Sequence, residues 1–279
     1  MRINAHVCVL AKGVVMGIYT IHAGHAKQGN RFSGAVGYCA ESVVDRQIAR
    51  EVIYYLQKEG HTVYDCTVDS GISQGNIISK IKKNINAVKG ASANISIHLN
   101  AVGKSEADGK TKGSECLVYS SLTADAAIGK RITDELKALG FTNRGVKVRT
   151  NLGILKGIKN GGKNVLVEVF FCDDEDDYIL YNKVGAAAIG KAIAQGIVGK
   201  AIPVTTMRAA KPTLRYGSSG TEAQKLQLNL NKVADARLVC DGKIGPRTVA
   251  ALKNWQAACG LKADGIYGPI SYEQMQRLL

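Results

Sequence analysis

The sequence predicts an α/β fold, an open and mostly parallel twisted sheet flanked by helices, followed by a small all-α module of three helices. Three observations carry this prediction. From residue 16 to residue 200, strand-like alternation and helical stripes take turns. The segment AIPVTTMRAAKP (201–212) has neither period and carries two prolines, so it reads as a linker. Beyond it, D-G-x-x-G-P occurs twice, from Asp241 and from Asp264, each time ahead of an amphipathic helix.

The elements follow in order. Residues 1–15 show no period that would pack on a sheet and are expected to be a dispensable, non-structural leader. They are a poor export signal, because Lys12 breaks the apolar run and no small-x-small cleavage site follows. Synthesis in the cytoplasm without a signal peptide is therefore expected. GIYTIHAG is a strand, and ESVVDRQIAREVIYYLQKEG is a helix with Val44, Ile48, Val52 and Leu56 on one face. TVYDCTV is a strand, GNIISKIKKNINAVKG a helix, and NISIHLNA a strand whose Ile95, Ile97 and Leu99 oppose Ser96, His98 and Asn100. GSECLVYSS, TADAAIGKRITDELKALG, KNVLVEVFF and GAAAIGKAIAQGIVGK continue as strand, helix, strand and helix. After the linker come three short helices, with Leu226, Leu230, Leu252, Trp255, Leu261 and Leu278 as the expected core. Thr248 and Ser271, just after Pro246 and Pro269, are the expected caps.

Composition narrows the function. The chain has 279 residues, 46% hydrophobic and 22% charged, which suits one large or two modest globular domains. No apolar run approaches the roughly 18 residues of a membrane span, so no membrane association is expected. The formal net charge of +14 points to a polyanionic partner, an anionic wall polymer among them. No dense Arg/Lys block with interleaved aromatics occurs, which argues against nucleic acid. Seven cysteines, odd in number and with no C-x-x-C, argue against a zinc knot or a disulfide framework.

Four residues stand at strand or helix ends, where an open α/β sheet gathers its polar groups: His25, Glu41, His98 and Glu168. A carboxylate between Val167 and Val169 is costly to bury unless something compensates it. A salt bridge to a core arginine would compensate Glu168, and so would a metal or catalytic role. A strand histidine such as His98 is commonly a hydrogen-bonded core residue, or else a ligand. Two histidines and a carboxylate with one open position suit a catalytic zinc, and a further carboxylate would carry the proton. Spacing alone does not bring the four together.

IHAGH, the helix from Glu41, SIHLNA, KGSECLVY, NRGVKV and VLVEVFFCDDEDD occur in an order that resembles the zinc-dependent N-acetylmuramoyl-L-alanine amidases of the type 3 family, from about Gly17 to Lys200. The doubled D-G-x-x-G-P stretch of 213–279 resembles the peptidoglycan-binding module found on cell-wall hydrolases. The resemblance implies one Zn2+ per catalytic domain, held by His25, Glu41 and His98, with Glu168 as the catalytic carboxylate. It also implies peptidoglycan as partner and cell-wall lysis, as by a phage or prophage endolysin. Asn100 and Arg144 are candidate substrate contacts. One departure stands out: the family often has D-P-G-H-G at the first ligand, where this chain has HAGHAK, so that His22 replaces an acid. His22 is expected as a supporting residue or as a competitor of His25, and His61 as structural. FFCDDEDD is expected as a solvated helix start. Two rivals stay open, a zinc peptidase cutting within the stem peptide and a wall-binding protein without catalysis.

Overall fold

The computed structural model describes residues 16–203, 213–259, 261 and 263–279. The expected leader at 1–15 and most of the expected linker lie outside the described residues. The chain divides into two compact units, Met1–Ile202 and Pro203–Leu279.

The first unit is built on a sheet of β1 (Ile18–Ala23), β2 (Thr62–Asp65), β3 (Ala93–Asn100), β4 (Ser114–Val118), β5 (Asn143–Val148) and β6 (Lys163–Phe171), in the order β2-β1-β3-β6-β4-β5. All neighbouring pairs are parallel except β4 with β6. Period two sorts the side chains. Ile21, Ile95, Ile97, Val165, Val167, Val169, Cys116 and Val118 are buried on one face. There they meet α1 (Glu41–Lys58), α3 (Ala124–Ala138) and α4 (Glu175–Val198). Val44, Ile48, Val52 and Leu56 line the buried stripe of α1, as their spacing predicts. Burying each such side chain is worth about 1.5–3 kcal/mol. The small-residue run in α4 allows close packing. A Cβ on Gly190 would meet Glu51 Cβ at 2.2 Å, and one on Gly196 would meet the Ile132 backbone at 2.6 Å.

The other face is polar. Thr20, His22, Asn94, Ser96, His98, Asn164, Glu168 and Glu115 alternate with the core residues along β1, β3, β6 and β4. Its lower half is covered by α2 (Gln74–Ala87), through Ile77, Ile81 and Ile85, and by a 3₁₀ turn at Gly153–Leu155. Asn94 is the polar hub there. It accepts from Thr20 Oγ1 at 2.7 Å and donates to Asn160 and Asn164 at 2.9 and 2.8 Å. The end of this face carrying His98 and Glu168 holds the candidate site.

Two elements depart from the sequence reading. β5 was not expected as a strand, because neither of its faces is fully buried and its apolar alternation is weak. Helix α4 begins at Glu175 rather than Gly185, where a left-handed residue (φ 77°) breaks it in two. The acidic run ahead of it is not a solvated helix start. Asp173, Asp174 and Asp177 are buried, and the run gathers the loop after β3. Asp173 accepts from the backbone N–H groups of Val102 and Gly103, Asp176 from those of Asp108, Gly109 and Lys110, and Asp177 from those of Gly113 and Phe171. Lys112 pairs with Asp174 at 2.6 Å. Backbone donors with no other partner, rather than the helix dipole alone, set the need for these carboxylates.

The second unit holds α5 (Thr221–Ala234), α6 (Pro246–Ala258) and α7 (Pro269–Leu278) around Leu226, Leu230, Leu252, Trp255 and Met275. Leu261 packs at its margin, but Leu278 is 48% exposed and lies outside the core. The caps are Gly245 and Gly268, since Pro246 and Pro269 occupy the first helical position. Thr248 and Ser271 are instead buried partners of two glutamines. Gln227 Nε2 donates to Asp241, to the Lys243 carbonyl and to Thr248 at 2.9, 2.9 and 3.2 Å, while its Oε1 accepts from Gly242 N at 2.9 Å. Gln256 repeats this with Asp264, the Ile266 carbonyl and Ser271 at 3.1, 3.0 and 3.0 Å, and with Gly265 N at 2.9 Å. The repeated D-G-x-x-G-P is thus a loop folded around a buried glutamine, with Gly242 and Gly265 at φ 72° and 73°. Gln256→Leu leaves the buried Gly265 N–H without its acceptor and removes the contacts to Asp264, Ile266 and Ser271, at a cost of about 1–3 kcal/mol. Urea unfolding of residues 213–279 checks this, and a loss below about 1 kcal/mol would contradict it.

The described cysteines are free thiols, and no described helix is long and apolar enough to cross a membrane.

Candidate functional site

Glu41 is the centre of the site. It is the first residue of α1 and is only 3% exposed. Its Oε2 accepts from Ala35 N at 2.9 Å, and its Oε1 accepts from Leu99 N at 3.1 Å. The same Oε1 lies 3.2 Å from His25 Nε2 and 3.2 Å from His98 Nδ1. His25 comes from the turn after β1 and His98 from the polar face of β3, and their rings sit edge to face with centroids 4.9 Å apart. One donor atom from each of the three residues lies within 4.8 Å of the others.

Local sequence explains the convergence. Gly24 separates β1 from His25, and a Cβ there would lie 1.9 Å from the His98 ring. Arg46, one turn into α1, donates to the His25 carbonyl at 2.7 Å and to the Ser42 carbonyl at 3.0 Å, tying the His25 turn to the helix that carries Glu41. Burial alone would raise the Glu41 pKa, but its hydrogen bonds to His25 and His98 outweigh this and hold it well below the usual carboxylate range. For His98, burial disfavours the charged form, and the Glu41 carboxylate more than compensates, raising its pKa.

Glu168 lies beside His98, its register partner on β6. Among the described residues it makes no ion pair, so the compensating salt bridge to a core arginine is absent. Its Oε2 is buried without a hydrogen-bond partner. Burial pushes its carboxyl up to about 7, with His98 pulling the other way and Glu41 and Glu115 adding to the rise.

The remaining candidates fall around this centre. Asn100 donates to Glu115 at 3.4 Å, and Arg144 Nε donates to Glu115 at 2.7 Å. His22 is not in the cluster. It is buried, both ring nitrogens lack partners, and it lines a cavity of about 10 Å³ with Asn94, Ser96 and Asn164. Burial, with His98 next, lowers its pKa to about 3 and keeps it neutral. His61 accepts from Gly17 N at 3.1 Å and stacks edge-on to Tyr19, away from the cluster. Sequence reasoning passed over Glu115, which faces Glu168 across the antiparallel pair and is 4% exposed. The argument that singled out Glu168, a carboxylate inside an apolar strand, applies equally to Glu115 in SECLV.

Comparison with known proteins follows the same division of the chain. The family described as N-acetylmuramoyl-L-alanine amidase matches residues 20–199, and the putative peptidoglycan binding domain matches residues 219–275. An uncharacterized protein of Clostridium perfringens (strain 13 / Type A), CPE1502, is 32% identical over 176 residues, covering 61% of this chain and 49% of that protein. The zinc D-Ala-D-Ala carboxypeptidase of Streptomyces albus G is 41% identical over 68 residues, covering 24% of this chain and 27% of the enzyme. The chain thus spans half or less of the length of these two relatives. Among solved structures, the catalytic domain of the CD27L endolysin targeting Clostridia Difficile superposes with a TM-score of 0.58 at 30% identity, covering 67% of this chain and 99% of that domain.

Proposed function

This chain belongs to the N-acetylmuramoyl-L-alanine amidase family, and on that premise we propose that it hydrolyses the amide between N-acetylmuramic acid and the L-alanine of the peptidoglycan stem peptide. The observation that carries the proposal is the convergence of His25, Glu41 and His98, with Glu168 beside them.

The donor set fits zinc. Two imidazoles and one carboxylate are a ligand set that three-ligand catalytic zinc sites use, zinc being a borderline cation that takes both nitrogen and oxygen donors, and their atoms already lie close to one another. His25, Glu41 and His98 would hold one ion. Bound there, zinc would act as a Lewis acid on the scissile carbonyl and supply hydroxide at neutral pH.

The protein's own groups do the rest. Glu168 takes the proton of the attacking water as the new C–O bond forms. It returns a proton to the alanine nitrogen as the C–N bond breaks, releasing a free amine. Its unpartnered Oε2 leaves it free to receive and give that proton. Burial raises its affinity for a proton, the direction that a group returning one to the leaving amine needs. The loop gathered by Asp173, Asp176 and Asp177 holds the backbone that follows His98.

Residues 213–279 act as the wall-binding part, tethered through 201–212, and raise the local substrate concentration at the first unit. The net charge of +14 favours a wall carrying anionic polymers. A phage or prophage endolysin, made in the cytoplasm and acting on the wall after release, is the role we assign.

The test separates the parts. Residues 16–203 are expected to cleave soluble muramyl peptides but to lose most of their rate on intact walls, and residues 213–279 to sediment with purified peptidoglycan without cutting it. Chelation should stop hydrolysis by the full chain, and added zinc should restore it. Chelator-insensitive hydrolysis would sink the metal assignment. Failure of 213–279 to sediment at physiological salt would sink the tether.

A further inference from the structure

Glu115 and its partners are not used by the chemistry above. β4 sets Glu115 directly opposite Glu168. Its Oε2 accepts from both Arg144 Nε, at 2.7 Å, and Lys147 Nζ, and its Oε1 accepts from Asn100 Nδ2 at 3.4 Å. The two cations exceed the one carboxylate, so the cluster carries a net positive charge next to the reacting centre. Arg144 commits only its Nε to Glu115. Its guanidinium lies 4.9 Å above the Phe171 ring, and its side chain is 35% exposed. The two terminal nitrogens make no hydrogen bond among the described residues. A guanidinium held by one N–H and by an aromatic face presents its free edge as a ready fork for a carboxylate.

The rest of the inference rests on the amidase reading. Once the lactyl carboxyl is tied up in the scissile amide, the N-acetylmuramic acid unit has no ionised group. A carboxylate near the cut must therefore come from the peptide. The carboxyls of the residue after L-alanine lie on the order of 6–9 Å from the scissile nitrogen along an extended chain. Arg144 belongs to β5, two strand spacings or about 10 Å from β6, and leans back over β4 to reach Glu115. The spans match. We infer that Arg144, reinforced by Lys147 and positioned by Glu115, forms a subsite for a free carboxylate on the residue that follows L-alanine in the stem peptide.

The test compares two soluble substrates, N-acetylmuramyl-L-alanyl-D-glutamate and the same compound with both glutamyl carboxyls converted to amides. The wild-type chain is expected to prefer the acid by about tenfold or more in kcat/KM, chiefly through KM. Arg144→Gln should bring that ratio to within about twofold of unity, and Lys147→Gln should lower it by a smaller factor. Calorimetric binding of both compounds to Glu168→Gln protein should show the same preference without turnover. Equal kcat/KM for the two compounds in the wild type, or an undiminished preference in Arg144→Gln protein that unfolds at the wild-type temperature, overturns the subsite. Cleavage of neither compound contradicts the amidase reading itself, and the subsite falls with it.

Discussion

His98→Ala is expected to abolish hydrolysis and to empty the metal site, with zinc content falling from about one per chain to near zero. Two donors, His25 and Glu41, would remain, too few for tight binding. The fold should survive. Glu41 keeps its hydrogen bonds from Ala35 N and Leu99 N and its contact with His25, so its buried charge is not left alone. The variant should therefore melt cooperatively, within several degrees of the wild type. Metal analysis and a melting curve on one preparation check this. Zinc retained at full occupancy would remove His98 from the ligand set, and global unfolding would make it a core histidine.

Glu168→Gln is expected to behave differently. The amide matches the carboxylate in volume but cannot accept and return a proton. Hydrolysis should fall by on the order of 100-fold or more, the usual worth of a general acid–base group. Zinc should stay, because His25, Glu41 and His98 are untouched. A buried ion pair deprived of one partner would lose about 3–5 kcal/mol. No such pair exists for Glu168 among the described residues, so stability should hold or rise slightly as an unpartnered buried carboxylate is removed. Retained activity would end the proton-transfer role. Lost activity with lost stability would recast Glu168 as structural.

What the sequence could and could not reveal follows from local physics. The alternation in NISIHLNA placed Ile95, Ile97 and Leu99 on the core face and His98 opposite them, because strand period is local. The stripe of α1 was legible for the same reason. The meeting of His25, Glu41 and His98 was not, since residues far apart in the chain converge only through sheet order, and order is not written in periodicity. β5 escaped because a half-exposed edge strand has little apolar alternation to display. The acidic run looked solvated because its true partners, backbone N–H groups of residues 102–113, have no side-chain signature. The same holds for Gln227 and Gln256, whose value lies in turns that only the folded module forms. Glu115 was legible by the reasoning applied to Glu168, since both are carboxylates inside apolar strands, but its pairing with Arg144 and Lys147 depends on β5 lying beside β4.

The most direct measurement of the central claim is the chemistry of the ends released when the full chain digests purified peptidoglycan. The account predicts new N-terminal L-alanine amines in step with the loss of turbidity, no new reducing sugars and intact cross-links, and that Glu168→Gln suppresses these amines by about 100-fold or more. New amines on other stem-peptide residues would make the chain a peptidase, new reducing ends would make it a glycosidase, and either result would contradict the account.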